Sequence, residues 1–322
     1  MCYTTDNGKK MEGKLCFSFP GQLLEIPNLE NDILGDTTLT HEIIKKAHEL
    51  IGFEWSLCTF RDSTLNKYLN LRLQIVSYLI SIIYAHYLMR EGIVPDIISE
   101  HSMGIYAALV ASDTFTFEEG LELVFSIGIL IEKRAKYLNC AMASIIGLTE
   151  DDLLSIFNCL NTHKLFIANY NGSRQFVVSG EREGIQKTIE LAINEYHAIA
   201  ARELILSAPL HCELIEGIKE DLVGLLSRFS PREGTIPVIN HLTVDICNRE
   251  GIRKLLCEEI YKPVLWDRCV RKLIEYGANR FIEVGYGETI RKTVRWIDKD
   301  ISVLTIKDKK SIEEIKLSLS TI

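Results

Sequence analysis

The stretch from about Asn66 to Arg90 is apolar on nearly every side. A helix without a polar face must be enclosed by other elements, so this one is expected at the centre of the fold. Its longest apolar run, around Ile75 to Leu88, is broken by Ser77, Ser81 and His86, with Gln74 just before it. It therefore reads as a buried helix and not as a membrane span. A chain of 322 residues is long enough for one large domain with an insert, or for two domains.

Around that helix the pattern alternates. Leu15 to Phe19 reads as a strand ending at the Pro20-Gly21 turn, followed by a helix at about Thr40 to Ile51. Ile93 to Ser99 reads as a buried strand, then Met103 to Ala111 and Phe117 to Tyr137 as helices. Glu118 and Glu119 open the second of these, where the helix dipole favours them. The next 65 or so residues run strand, helix, strand, strand, helix, strand, from Ala141 to Leu206, which predicts a ferredoxin-like insert. The larger pattern then resumes, with a helix from Cys212 to Arg228, a strand at Ile236 to Asn240, and helices at Arg249 to Ile260 and Trp266 to Tyr276. A strand at Arg280 to Val284, a helix, a strand at Ile301 to Ile306 and a last helix complete it. This predicts an α/β fold with a mostly parallel sheet covered on both faces. Residues 14–138 and 201–322 are expected to form the large domain and 139–200 the insert.

Composition removes several function classes. About 47% of residues are apolar and 25% charged, as in ordinary globular proteins. A net charge of −8 argues against a nucleic-acid partner, although a local Lys/Arg cluster could still hold an acidic phosphate ligand. The nine cysteines are scattered without a CxxC pair, so reduced thiols in a cytoplasmic setting are expected, with no metal site and no membrane partner.

Ile97-Ile98-Ser99-Glu100-His101-Ser102-Met103-Gly104 reads as strand, sharp turn and helix. Such a turn lifts a serine hydroxyl off the sheet and turns the following backbone N–H, here Met103, toward a developing oxyanion. The competing reading is a plain strand-to-helix turn with Ser102 as N-cap. A serine needs a base, and histidine is the usual one. Of eight histidines, His211 stands out, because Leu206-Ser207-Ala208-Pro209-Leu210-His211-Cys212 passes from strand to helix, where α/β folds collect their chemistry. For any single histidine, a structural role is the competing reading. Phe19-Pro20-Gly21-Gln22 adds a turn whose free N–H at Gln22 could face the same oxyanion, or which could be a simple surface turn.

Together these segments resemble malonyl-CoA:acyl carrier protein transacylases and the acyltransferase domains of polyketide synthases. That family carries a Pro-Gly-Gln turn, a Gly-His-Ser-x-Gly elbow and an Ala-Pro-x-His segment about a hundred residues after the serine. Here they stand as Pro20-Gly21-Gln22, Glu100-His101-Ser102-Met103-Gly104 and Ala208-Pro209-Leu210-His211. Gly92 to Asp96, Asn169-Tyr170-Asn171, Pro263-Val264-Leu265-Trp266 and Glu283 to Gly287 extend the likeness over roughly Lys14 to Ile306. The resemblance implies an α/β-hydrolase-like large domain with a ferredoxin-like insert. It also implies acyl transfer through Ser102 with His211 as base, between thioesters of coenzyme A and an acyl carrier protein, with no bound cofactor. The backbone of Glu259 would orient His211, and Gln22 and Met103 would hold the oxyanion. Gln74, His101, Ile127 and Leu210 would line the acyl pocket.

Several positions depart from that pattern. Glu100 replaces the elbow glycine, Ile105 a glutamate and Leu23-Leu24 a Gly-Ser pair. The arginine that pairs with a malonyl carboxylate, twenty-five residues after the serine, is Ile127. Ile127 shares a helical face with Leu123, Val124 and Ile131 and is expected to point inward, while Arg134 lies two turns farther on. An uncharged acyl group is therefore expected. The alternatives are a hydrolase that strips acyl groups from carrier proteins with the same Ser102 and His211, as some arginine-lacking relatives do, and a non-catalytic carrier-docking module.

Overall fold

A computed structural model describes residues 13–23, 37–52, 69–206 and 208–320. Strand β1 (Lys14–Phe19) is followed by α1 (Thr37–Ile51), α2 (Leu69–Arg90), β2 (Ile97–Glu100), α3 (Gly104–Ala111) and α4 (Phe117–Ala135). A second unit contains β3 (Cys140–Ile146), α5 (Glu150–Cys159), β4 (Leu165–Gly172), β5 (Gln175–Glu181), α6 (Arg182–Asn194) and β6 (Ala200–Glu203). The chain returns through a 3₁₀ turn (Glu213–Ile218), α7 (Lys219–Leu226), β7 (Val238–Ile239), α8 (Ile252–Glu258) and α9 (Trp266–Glu275). It ends with β8 (Ala278–Glu283), α10 (Thr289–Ile297), β9 (Ser302–Thr305) and α11 (Lys309–Ser320).

The larger sheet has five parallel strands in the order β7-β2-β1-β8-β9. The smaller is antiparallel, ordered β4-β5-β3-β6, and with α5 and α6 it forms the ferredoxin-like arrangement. The all-round apolar character of α2 is explained by its place in the main core. Leu71, Ile75, Tyr78 and Ile82 are each almost wholly buried there. Gly128 of α4 lets that helix come close to α2, since a Cβ there would meet Leu71 and Gln74. α4 begins with a capping box in which the Thr116 hydroxyl accepts from the Glu119 N–H and the Glu119 carboxyl accepts from the Thr116 N–H.

One tie to the smaller sheet is made by backbone. Val264 donates to the Ala168 carbonyl and accepts from the Tyr170 N–H, each at 2.9 Å, so the Pro-Val-Leu-Trp segment adds a short parallel bridge to β4. The buried Trp266 then donates to Thr293 at 2.9 Å.

Three segments differ from the sequence expectation. β2 starts at Ile97 and not at Ile93, because Pro95 has no N–H for a ladder and Asp96 closes a reciprocal pair with the Leu15 backbone instead. The helix expected from Cys212 to Arg228 is a 3₁₀ turn followed by α7, since Cys212 is extended at φ −149° and His211 is left-handed at φ 59°. The strand expected over Ile199 to Leu206 is regular only at Ala200–Glu203.

Gly104 opens α3 directly beneath β1. A Cβ there would overlap the Phe19 and Pro20 carbonyl oxygens, which are backbone atoms and cannot swing aside. Gly104→Ala is expected to lower the unfolding free energy by about 2 kcal/mol, as overpacking does. Urea denaturation would show this as a lower midpoint at unchanged slope.

Candidate active site

Three chain segments converge at the carboxyl ends of β1 and β2, where ligands gather in open α/β sheets. The first is the turn after β2. Ser102 is left-handed at φ 55°, unusual for a residue with a Cβ. It is not the N-cap of α3. Met103 holds that position, with no side-chain cap. The serine hydroxyl is therefore free of the helix and donates to His211 Nε2 at 2.7 Å.

The second segment carries His211, itself left-handed and 4% exposed. Its backbone N–H donates to the Ile260 carbonyl at 2.7 Å, and its Nδ1–H to the Glu259 carbonyl at 2.7 Å. The second bond fixes the tautomer and leaves Nε2 as the acceptor facing Ser102. Burial, and then the charge of His241, depress the His211 pKa to about 3, so the ring is neutral near neutral pH.

The third segment is the turn after β1. A side chain at Gly21 would crowd His101, since a Cβ there would lie 3.2 Å from the His101 ring and carbonyl and 3.4 Å from Ser102. Gln22 follows, and both polar atoms of its side chain are buried with no hydrogen-bond partner among the described residues. Neither the Gln22 nor the Met103 backbone N–H bonds to another described residue.

A small cavity adjoins the serine, lined by Gln22, Gln74, Met103, Val124, Ile127, Ile131, Leu210 and Ile260 together with Ser102, Tyr106, His211 and Glu259. Its free volume is about 20 Å³, room for roughly one water molecule. Among the described residues its lining holds no lysine or arginine. Arg134 packs beside Gly217 instead, and Ile105 is wholly buried in the main core. On the other side of His211 a groove of about 490 Å³ runs between the α5–β4 face and the segments after His211 and after Ile260, past Phe157, Phe166, Tyr170, Cys212, Tyr261 and Lys262.

His101 does not belong to the cavity lining, contrary to the sequence expectation. Its Nε2–H donates to Asn171 Oδ1 at 2.8 Å, and its ring meets Trp266 edge-on at 5.6 Å. The left-handed serine turns its neighbour toward the smaller sheet, so His101 ties the elbow to β4. Leu23 is half-buried and bonds through its backbone to Ser77, while Leu24 lies outside the described residues.

Several polar residues of the site gave no signal as a motif. Tyr106, in the first turn of α3, donates to Glu259 Oε1 at 2.6 Å. Burial raises the Glu259 carboxyl to about 7. Behind it, Glu100 Oε1 accepts from the His241 N–H at 2.7 Å, and Oε2 from His241 Nδ1–H at 2.6 Å. Burial alone would lower the His241 pKa, but the Glu100 charge and hydrogen bond outweigh it and raise it. Potential metal-ligand atoms of His211, His241 and Glu259 lie within 4.8 Å of one another. Both His211 nitrogens and the Glu259 carboxyl are already engaged, so this donor set fits a hydrogen-bonded network better than a resident ion.

Residues 71–306 match the family model described as the acyl transferase domain. The malonyl CoA-acyl carrier protein transacylase of Bacillus subtilis (strain 168) is 27% identical over 303 residues, 93% of this chain and 95% of the relative. Among solved structures, the acyl-carrier-protein S-malonyltransferase of Burkholderia pseudomallei 1710b aligns with a TM-score of 0.86 at 26% identity, over 95% of this chain and 99% of the other. The malonyl CoA-acyl carrier protein transacylase of Coxiella burnetii aligns with a TM-score of 0.87 at 25% identity, over 96% and 98%.

The two buried rings should titrate on opposite sides of the ordinary histidine value of 6.5. Imidazole ¹⁵N NMR at that pH is expected to show His211 neutral and His241 protonated. A protonated His211 there would contradict the geometry.

Proposed function

The chain belongs to the acyl transferase domain family and is an acyltransferase; on that premise we propose that it moves an uncharged acyl group from a coenzyme A or carrier-protein thioester to an acyl carrier protein, through an ester on Ser102. The observation that carries this reading is the chain of two 2.7 Å hydrogen bonds from Ser102 Oγ through the His211 ring to the Glu259 carbonyl.

In the first half-reaction Ser102 Oγ attacks the thioester carbonyl while His211 Nε2 takes its proton. The carbonyl oxygen gains negative charge within reach of the Met103 and Gln22 N–H groups. The C–S bond then breaks, His211 returns the proton to the leaving sulfur, and the acyl group remains on Ser102. A second thiol repeats the steps in reverse. The long groove beside His211 suits the extended pantetheine arm shared by coenzyme A and carrier proteins, with aromatic walls for its apolar stretches. Thioesters are the substrates in this scheme, and no bound cofactor takes part. The carrier protein is inferred from the names of the relatives. Residues 14–138 and 201–322 would form the catalytic body and 139–200 the insert that walls the groove. The seven described cysteines are all free thiols, six of them buried or half-buried, which suits the cytoplasm.

The acyl specificity follows from the cavity. A malonyl carboxylate placed against Ile127, Val124 and Ile131 would lose its hydration and find no cation. A penalty of ~4 kcal/mol corresponds to roughly a thousandfold loss against an uncharged acyl group. The small free volume favours short chains such as acetyl or propionyl.

Intact-protein mass spectrometry after incubation with acetyl-, hexanoyl- and malonyl-CoA tests this reading. The expected result is an acetyl adduct that is absent from Ser102→Ala, with little or no malonyl adduct. Ile127→Arg is expected to raise malonyl loading relative to acetyl by about tenfold or more, through a paired carboxylate. A malonyl adduct as abundant as the acetyl one on the unaltered protein would overturn the specificity, and an adduct that survives Ser102→Ala would overturn the nucleophile.

A further inference from the structure

Glu100 occupies the place of the glycine in the resembled elbow, and its side chain is 0% exposed. A carboxylate cannot be buried without partners. The parallel register supplies them. Ile98 pairs with Val238 and Ser99 with Ile239, so the next step of the ladder sets Glu100 beside the chain leaving β7. There both of its oxygens are taken by His241, one by the backbone N–H and one by Nδ1–H. The His241 loop is fixed on its other sides as well. Its carbonyl accepts from the Leu265 N–H at 2.9 Å, and Asn240 closes the turn onto Thr243 and Asp245. With glycine at position 100, two His241 donors would be left in a dry interior. The two residues therefore form one unit.

That unit has a direction. Its negative end is enclosed by the His241 donors. At the other end, His241 Nε2 is buried and has no hydrogen-bond partner among the described residues. The rings of His241 and His211 lie 6.0 Å apart at 85°, and Glu259 completes the group of three. We propose that Glu100 and His241 are positioning residues for the chemistry at Ser102, a charge pair that holds the cationic face of His241 behind the His211 ring.

This proposal rests on the reading that His211 accepts the Ser102 proton. Burial already disfavours a charge on the His211 ring, and a fixed positive charge behind it adds to that, so His211 stays neutral and able to accept. The other groups around His211 do not supply this. Ser102 and His101 face it from the elbow, and burial holds His101 neutral, with a pKa lowered to about 4. Tyr106 from α3 is held far above its ordinary pKa by burial and by Glu259, and stays neutral. Glu259 and Lys262 meet His211 from the segment after α8, with the Lys262 ammonium turned to Glu258. Cys212 adjoins it, with burial raising its thiol pKa. The sign is then fixed. Without the pair, the His211 pKa rises, and the acidic limb of the rate profile moves to higher pH.

The test is the pH dependence of Ser102 acylation by p-nitrophenyl acetate and of acetyl transfer from acetyl-CoA to pantetheine. Both are compared for the unaltered protein, Glu100→Gln, His241→Asn and the double variant. Glu100→Gln keeps the side-chain shape and an acceptor for the His241 N–H, removes the charge and turns an amide donor toward Nδ1, which separates the charge from the packing. The expected result is that the ratio of unaltered to variant rate grows by about tenfold between neutral and distinctly acidic buffer, where the displaced limb falls, because below its pKa the neutral fraction of a histidine falls tenfold for each pH unit. Both single variants should move the limb by the same amount, and the double variant no further. Losses of equal size at every pH would overturn the proposal, because a purely structural role would produce them. If Ser102→Ala reacts with the ester as fast as the unaltered protein, the serine reading falls, and the ¹⁵N titration of His211 in Glu100→Gln still decides on the charge pair. If neither variant folds, a His211 ring that titrates at its ordinary value in the unaltered protein overturns the proposal.

Discussion

A residue with a Cβ held at positive φ costs about 1 kcal/mol or more, and it persists only where its surroundings leave no other choice. Ser102 is such a residue. β1 and β2 run in parallel with Phe19 beside Glu100, so the chain must turn sharply within two residues or strike the β1 turn. Gly104 then packs against the Phe19 and Pro20 carbonyls with no room for a side chain, and Gly285 does the same against the Pro20 ring. The His101 N–H donates to the Phe19 carbonyl, and the His101 carbonyl accepts from Gly104. With both ends pinned, the left-handed conformation at Ser102 is the one that closes the turn.

The partner of this serine is held by the same kind of constraint. His211 is also left-handed, and its backbone and ring both bond to the chain just after α8, at Ile260 and Glu259. One short segment thus sets both where the ring sits and which way it faces. The segment continues into Pro263 and Val264, which bridge to β4, so the smaller sheet is anchored to the element that orients His211. His101 and Asn171 make the corresponding tie from the elbow side. The groove beside His211 is lined by Tyr261, Lys262 and Pro263, which continue the segment that orients the ring.

Much of this was legible in the sequence because the informative signals are local. Strand, turn and helix around Ser102, the alternating pattern of the insert and the inward face of Ile127 all follow from periodicity and turn chemistry. The helix breaking at Cys212 was not legible, because a left-handed histidine leaves no mark in composition. His101 was misplaced because its direction depends on the φ of its neighbour. The Glu100–His241 pair spans 141 positions, and no short-range pattern connects the two. A signal was nevertheless present. A carboxylate at the end of an otherwise apolar buried strand needs a donor nearby, and a search of strand ends for one would have led to His241. Tyr106 left no such trace, since a tyrosine on a buried helix face reads as core.

The same network bears on which acyl group the cavity accepts. Loss of the arginine position removes the cation that a carboxylate would need, but that alone leaves the wall merely apolar. Glu259 makes it more selective. Glu259 is among the lining residues, and burial raises its carboxyl pKa to about 7, so it is partly ionised at neutral pH. A substrate carboxylate would enter beside a group whose own ionisation it opposes, as two acids in one small site do. Under the proposed specificity, Glu259 and the apolar wall at Ile127 act in one direction, toward a neutral acyl group on Ser102.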